Sequence, residues 1–449
     1  MAKTPQTSDF RLQTYRGLAP DRTVLDNGAV VIAKTTSTTP AVAVNLGVHS
    51  GSAYDPAGQP GAAWLLSRVL DRGTASRSAA DIAEELDSRG ITLTITVARH
   101  LLSLVCTCLA DDFEPVLGLL ADIITAPTLP ESELAVRKGE VITAIRQDDD
   151  NTSVRASEAL MALLYRDPHP YGRRTKGTIE LVEAFTRDDL LRLHAERFAP
   201  STLSTVIVGD VDVKRIHDCA AEAFGSWRRP APPLLTLPPL TPTVTRQRLV
   251  IPMMNKVQAD LAYGFVTIPR SHPDYYAYWL MNNIFGQYAM GGRLGESIRE
   301  RQGMAYYVAS SFEPNVGPNP LVVRAGVSPA HVDRAVASID EEIVRLIGEG
   351  ATAKELSESR TFLVGAIPRA LETNAAIANF LQVGELLGLG LDYDARLSEL
   401  LGAVTLDQVN AAARRALDVD RASVVIAGPY SDEAAVRDLG LGVSKRASR

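Results

Sequence analysis

The sequence predicts an α+β protein of two homologous halves, each a mainly antiparallel sheet with helices packed on one face, joined by a proline-rich linker. Three observations carry this. The chain of 449 residues is too long for one ordinary core, and 46% hydrophobic with 22% charged residues are globular values. Six prolines, at 230, 232, 233, 238, 239 and 242, fall between Arg229 and Gln247, near the midpoint. They stiffen that segment and forbid a regular helix or a central strand. The third observation is a repeat across the linker. Thr186-Arg-Asp-Asp-Leu190 opens a helical pattern that closes on Leu203-Ser-Thr-Val-Ile-Val-Gly209. Thr405-Leu-Asp-Gln-Val409 opens another that closes on Ser423-Val-Val-Ile-Ala-Gly428. Both the openings and the closings stand 219 residues apart (405 − 186 and 428 − 209). The expected divisions are therefore 1–228, a linker at 229–247, and 248–449.

The elements follow in order. Leu25-Asp-Asn-Gly28 is a turn before a strand at Ala29 to Ala33, and Ala41 to His49 alternates like a second strand. Gly61 to Arg72 reads as a helix. Ser78 caps the next helix and Gly90 stops it. Ile91 to Ala98 and Leu101 to Leu109 pair as strands, and helices follow at Phe113 to Thr125 and Glu131 to Gln147. The acidic run Asp148-Asp149-Asp150 marks a helix end rather than a metal site. Past the linker come strands near 248–268, a helix from Pro273, and a strand near Met304 to Phe312.

Composition narrows the function. A net charge of −7 offers no attraction for phosphate backbones, so nucleic-acid binding is not expected. Cys106, Cys108 and Cys219 make no disulfide framework. Met1 to Phe10 is polar, without the apolar core of a secretory signal, and no 18-residue apolar run occurs, so the expectation is a cytoplasmic protein with no membrane partner. The seven His are never closer than 23 residues, so no local His pair can grip a metal.

Gly61-Ala-Ala-Trp-Leu-Leu-Ser-Arg-Val-Leu-Asp-Arg-Gly-Thr74, preceded by Gly51-Ser-Ala-Tyr-Asp-Pro56, resembles the signature region of pitrilysin/insulinase-type zinc peptidases. The branch it looks most like is that of the mitochondrial processing peptidase and its bacterial relatives. The likeness extends from about Thr23 to Pro429, through Tyr165-Arg-Asp-Pro-His-Pro-Tyr-Gly172 and Leu190 to Gly209. That family carries His-x-x-Glu-His in this frame, two imidazoles on one helix face and a Glu that activates water on the zinc. The resemblance places Trp64 at the first His, Ser67 at the Glu and Arg68 at the second His. Aligning Lys138 to Arg146 with the family's third-ligand helix puts Ala144 at the ligand Glu, with Glu140 one turn early. Indole does not ligate zinc and a guanidinium repels it. The implied motif is degenerate, and no metal is expected on this chain. His169 reads as a loop residue.

The second half holds Gly291-Gly-Arg-Leu-Gly-Glu-Ser-Ile-Arg-Glu-Arg-Gln-Gly-Met-Ala-Tyr-Tyr307. Leu294 and Ile298 fit a helix, Gly303 its stop, and Met304 to Ser311 a strand. Arg299 would then end the helix and Tyr306 begin the strand, with Tyr307 on the opposite face. Related peptidases keep an Arg and a Tyr at this spacing. The resemblance implies that Arg299 holds substrate carbonyls and Tyr306 donates to the oxyanion. It implies a non-catalytic, substrate-binding subunit that supplies this pair in trans to zinc on a homologous His-x-x-Glu-His-bearing partner, the two chains enclosing a peptide. Two alternatives stand beside it: a structural or assembly protein of the same family, and an independent hydrolase built on Ser67 or a Cys.

Overall fold

The structure is a computed structural model that describes residues 17–241, 243–287 and 291–431. The leader stretch Met1 to Phe10 and Pro242 lie outside the described residues. The first sheet contains β1 (Asp21–Val24), β2 (Val30–Thr35), β3 (Ala41–Val48), β4 (Thr94–Val97), β5 (Leu102–Leu109) and β6 (Leu203–Gly209), in the order β1-β2-β6-β3-β5-β4. The second contains β7 (Gln247–Pro252), β8 (Ala259–Val266), β9 (Ala305–Phe312), β10 (Pro320–Val327) and β11 (Ser423–Gly428), in the order β7-β11-β8-β10-β9. Without β1 the two orders are the same. In each sheet the closing strand, β6 or β11, lies parallel to the opening strand and antiparallel to the next. All other neighbours are antiparallel.

The repeat read from the sequence is therefore a repeat of structure. Thr186 accepts the Asp189 amide and caps Arg187–Arg197, and Thr405 accepts the Gln408 amide and caps Leu406–Ala416, both as capping boxes. Each helix runs into a closing strand that is buried along its whole length. Local expectations hold elsewhere too. Ser78 forms a capping box at Ala79–Asp87, and helices occupy Phe113–Thr125 and Glu131–Asp149. The stretch at Gly61 to Arg72 is helical over Ala62–Val69, and the expected strand at 91–98 shortens to β4.

The faces of the sheets hold what local patterning did not announce. Val31, Ala33, Val42 and Val44 pack with the helices of their own half, while Ile32, Ala43, Val206 and Val208 join the core of the second half. The helix Thr152–Tyr165, from the first half, lies on β8 and β11. The helix Asn374–Leu386, from the second half, lies on β3 and β6. The halves thus exchange one helix each, which covers the second face at the centre of each sheet and leaves β6 and β11 buried along their whole length, Ser204, Thr205 and Ser423 included. Between the halves, the described linker residues through Arg246 carry neither helix nor strand, the expected last linker residue Gln247 already opens β7, and Leu235, Leu237 and Leu240 pack against the cluster under Thr152–Tyr165.

Candidate functional site

The helix Ala62–Val69 begins where Asp55 accepts the Gly61 and Ala63 amides at 2.8 and 2.7 Å. Burial pushes this carboxyl up to about 7 against the pull of those two amides. Gly61 has φ +97°, and a Cβ there would meet the Lys176 carbonyl oxygen at 2.6 Å. Its neighbour Gly177 has φ +72° and would meet the Pro60 carbonyl oxygen at 2.3 Å. Only glycine lets these backbones touch, and the contact brings Lys176 over the helix.

Trp64 is the result. Its ring carries the Arg68 guanidinium at 5.0 Å and the Lys176 ammonium at 5.4 Å. Ser67 is buried and donates to the Trp64 carbonyl at 2.7 Å. Arg68 donates to Ser67 Oγ at 3.2 Å and to the Ile95 carbonyl of β4 at 2.5 Å. Ala144 is half-buried on Glu131–Asp149, the helix packed beside this one. Glu140 is exposed and paired to Arg137 at 2.5 Å. An indole, a hydroxyl, a guanidinium and a methyl occupy the four positions, and two cations share the ring. This set does not fit zinc. Among the described residues no three His, Cys, Asp or Glu side chains cluster to hold a metal. Asp148, Asp149 and Asp150 end their helix in ion pairs with Lys176 (2.6 Å), Arg174 (2.9 Å) and Lys256 (2.7 Å). His169 is a buried loop residue whose Nδ1 accepts the Tyr171 amide.

Tyr306 stands on the second sheet's edge strand β9, and Arg299 on the segment that leads into it. The segment Gly295–Arg301 winds as a π-helix rather than the regular α-helix expected, and Gly303, at φ +63°, follows it. The wider turn keeps Leu294 and Ile298 fully buried while Arg299 is left 46% exposed, 3.9 Å from Glu300. Tyr306 opens the edge strand β9 and is 68% exposed. Tyr307 turns inward, donating to the buried Asp260 at 2.6 Å, and Asp260 also accepts from Thr152 at the head of the exchanged helix. Arg293, nearly buried, grips Glu355 through two bonds of 2.7 and 3.0 Å and the Gly350 carbonyl at 2.7 Å. The two exposed side chains thus sit on a segment fixed from behind. Lys176 and Asp260 carry no local signal, because each acts on residues distant in the chain.

Two family models match the chain: Insulinase (Peptidase family M16) over residues 30–178 and Peptidase M16 inactive domain over residues 184–363. An uncharacterized zinc protease of Mycobacterium leprae is 27% identical over 417 residues, spanning 92% of each chain. One of Bacillus subtilis is 26% identical and spans 90% of this chain and 97% of its own. A solved peptidase M16 inactive domain from Pseudomonas fluorescens has a TM-score of 0.85 at 26% identity, covering 92% of this chain and 98% of that one. A protease from Helicobacter pylori shares the fold at a TM-score of 0.84 and 15% identity, covering 91% of this chain and 99% of that one. No helix among the described residues is long and apolar enough to cross a membrane.

Proposed function

The chain belongs to the insulinase family of peptidases, and on that premise we propose that it is the non-catalytic, substrate-binding subunit of a heterodimeric zinc endopeptidase. The observation that carries the reading is a contrast between the halves. Where the family holds metal, this chain has Trp64 carrying two cations on its ring; on the second half, Arg299 and Tyr306 are largely exposed, Arg299 with only a loose 3.9 Å pairing to Glu300 among the described residues. In this reading zinc belongs to a homologous partner bearing His-x-x-Glu-His, and this chain binds none. An extended peptide adds to a sheet edge, Arg299 donates its planar fork to substrate carbonyls, and Tyr306 donates to the oxygen that gains charge. The pair works in the compartment of synthesis, the cytoplasm.

The test is reconstitution. The isolated chain should cleave no peptide with added zinc, and a His-x-x-Glu-His partner should restore cleavage. Arg299→Ala and Tyr306→Phe should each lower turnover roughly 100-fold with the complex intact. Zinc-dependent hydrolysis by the chain alone would overturn the proposal. Wild-type turnover in the double variant would favour the second reading, an assembly protein of the same family.

A further inference from the structure

A cavity of about 330 Å³ lies where the first half, the linker and the second half meet, away from both sites above. Its apolar wall comes from three separate pieces of chain: Leu164 at the end of the exchanged helix, Leu240 of the linker, and Phe265 near the end of β8. Its charged wall comes from the end of the helix Leu406–Ala416 and the turn after it. Arg414, Arg415 and Arg421 line it, with Asp418 as the one acid. Asp418 is paired with Arg421 at 3.3 Å, and Arg415 with Asp274 at 2.9 Å. Arg414 has no ion pair among the described residues. The helix end adds a partial negative charge of about half a unit, which three guanidinium groups outweigh.

Such a cavity is the size of a small-ligand site, and junctions between domains are where such sites concentrate. Guanidinium groups offer donors only, so the polar end of the ligand must accept. The wall of Leu164, Leu240 and Phe265 asks for an apolar group beside that acceptor. We infer that this junction cavity binds a carboxylate carried next to an apolar side chain, the chemistry of a peptide's C-terminal residue. The inference does not depend on the subunit role proposed above. Arg414 is the anchor, Arg421 turns from Asp418 to the incoming carboxylate, and Leu240 and Phe265 take the side chain.

The experiment is calorimetric titration of the isolated full chain with N-acetylphenylalanine, N-acetylphenylalaninamide, a hexapeptide acid ending in Phe, and octanoate. The two acids that end in Phe should bind, and the amide should bind at least about tenfold more weakly because it lacks the charge. Arg414→Gln, an exposed substitution that leaves the core intact, should weaken the acids by a similar factor without changing the melting temperature. Octanoate binding as tightly as the peptide acid would move the site to fatty acids and overturn the peptide assignment. Equal binding of acid and amide, no binding by any probe at millimolar concentration, or an Arg414→Gln variant that binds like wild type would overturn the inference. None of these readouts involves a partner chain or cleavage, so they stand apart from the test of the subunit role.

Discussion

Gly47 and Gly264 hold the same place in the two sheets: Gly47 pairs with Ser204 on β6, and Gly264 with Ser423 on β11. At each, a helix from the other half presses on the strand. A Cβ at Gly47 would lie 2.5 Å from Gln382 Nε2, and one at Gly264 would lie 3.0 Å from Leu160 Cδ2. The two notches are what permits the exchange of helices.

Gly47→Ala should therefore destabilise the protein by about 1–3 kcal/mol through overpacking. Gln382 would have to leave Ser204, to which it donates a hydrogen bond. Removing the obstruction as well, in Gly47→Ala/Gln382→Ala, should recover part of the loss. Urea unfolding of the four members of this cycle checks it; strictly additive values would mean that the two residues do not meet.

Acid should loosen the junction of the halves. Tyr171 Oη accepts the Gly317 amide at 3.0 Å and is hydrogen-bonded to His100 Nε2, 2.5 Å away. Burial first, and Arg99 second, hold His100 down to about 4 from 6.5. The folded protein keeps this ring neutral, so its contribution is whole above about 6.5 and is lost as pH falls from 6.5 towards 4. Asp55 acts oppositely, its raised pKa favouring the folded state as pH falls below about 7. The measurement is thus a difference: between pH 7 and 4, His100→Gln should lose less stability than wild type. Parallel curves would sink the idea.

The ion pair behind the edge strand should set the order of the segment that presents Arg299. Against burial, Arg293 and the Thr352 cap hold Glu355 down at about 2. Glu355→Gln leaves a buried guanidinium with neutral acceptors only, the Gln side-chain oxygen and the Gly350 carbonyl, which should cost about 2–4 kcal/mol. Amide exchange across Gly295–Arg301 should quicken, while β3 and β6 exchange as before. Wild-type exchange in that segment would show that Arg293 has no hold on it.

Metal binding can be written back in. Trp64→His, Arg68→His and Ala144→Glu place three ligands, and Ser67→Glu the water-activating base, on two helices that pack side by side. Zinc at about 100 times its dissociation constant should stabilise this variant by roughly 2.7 kcal/mol, about 3 °C in melting temperature for a chain of this length. The wild-type chain should show no such shift. A variant blind to zinc would mean that these four positions do not converge.

The sequence by itself determined what neighbouring residues decide. The Thr186 and Thr405 caps, the closing strands they lead to, the linker prolines and the Gly61 to Thr74 stretch that holds Trp64, Ser67 and Arg68 are all readable within a few turns of chain. That β6 is a β-branched strand was legible as well, though neither its burial on both faces nor what would cover it. Tertiary structure alone decided that cover, because Gln382 reaches Ser204 across 178 residues and Leu160 lies over Gly264 with no shared local pattern. It also put Lys176 on Trp64 and Asp260 behind Tyr307. Periodicity reports which face of an element avoids water; it carries no label for the partner that shields it, and that choice is made only when two distant surfaces fit.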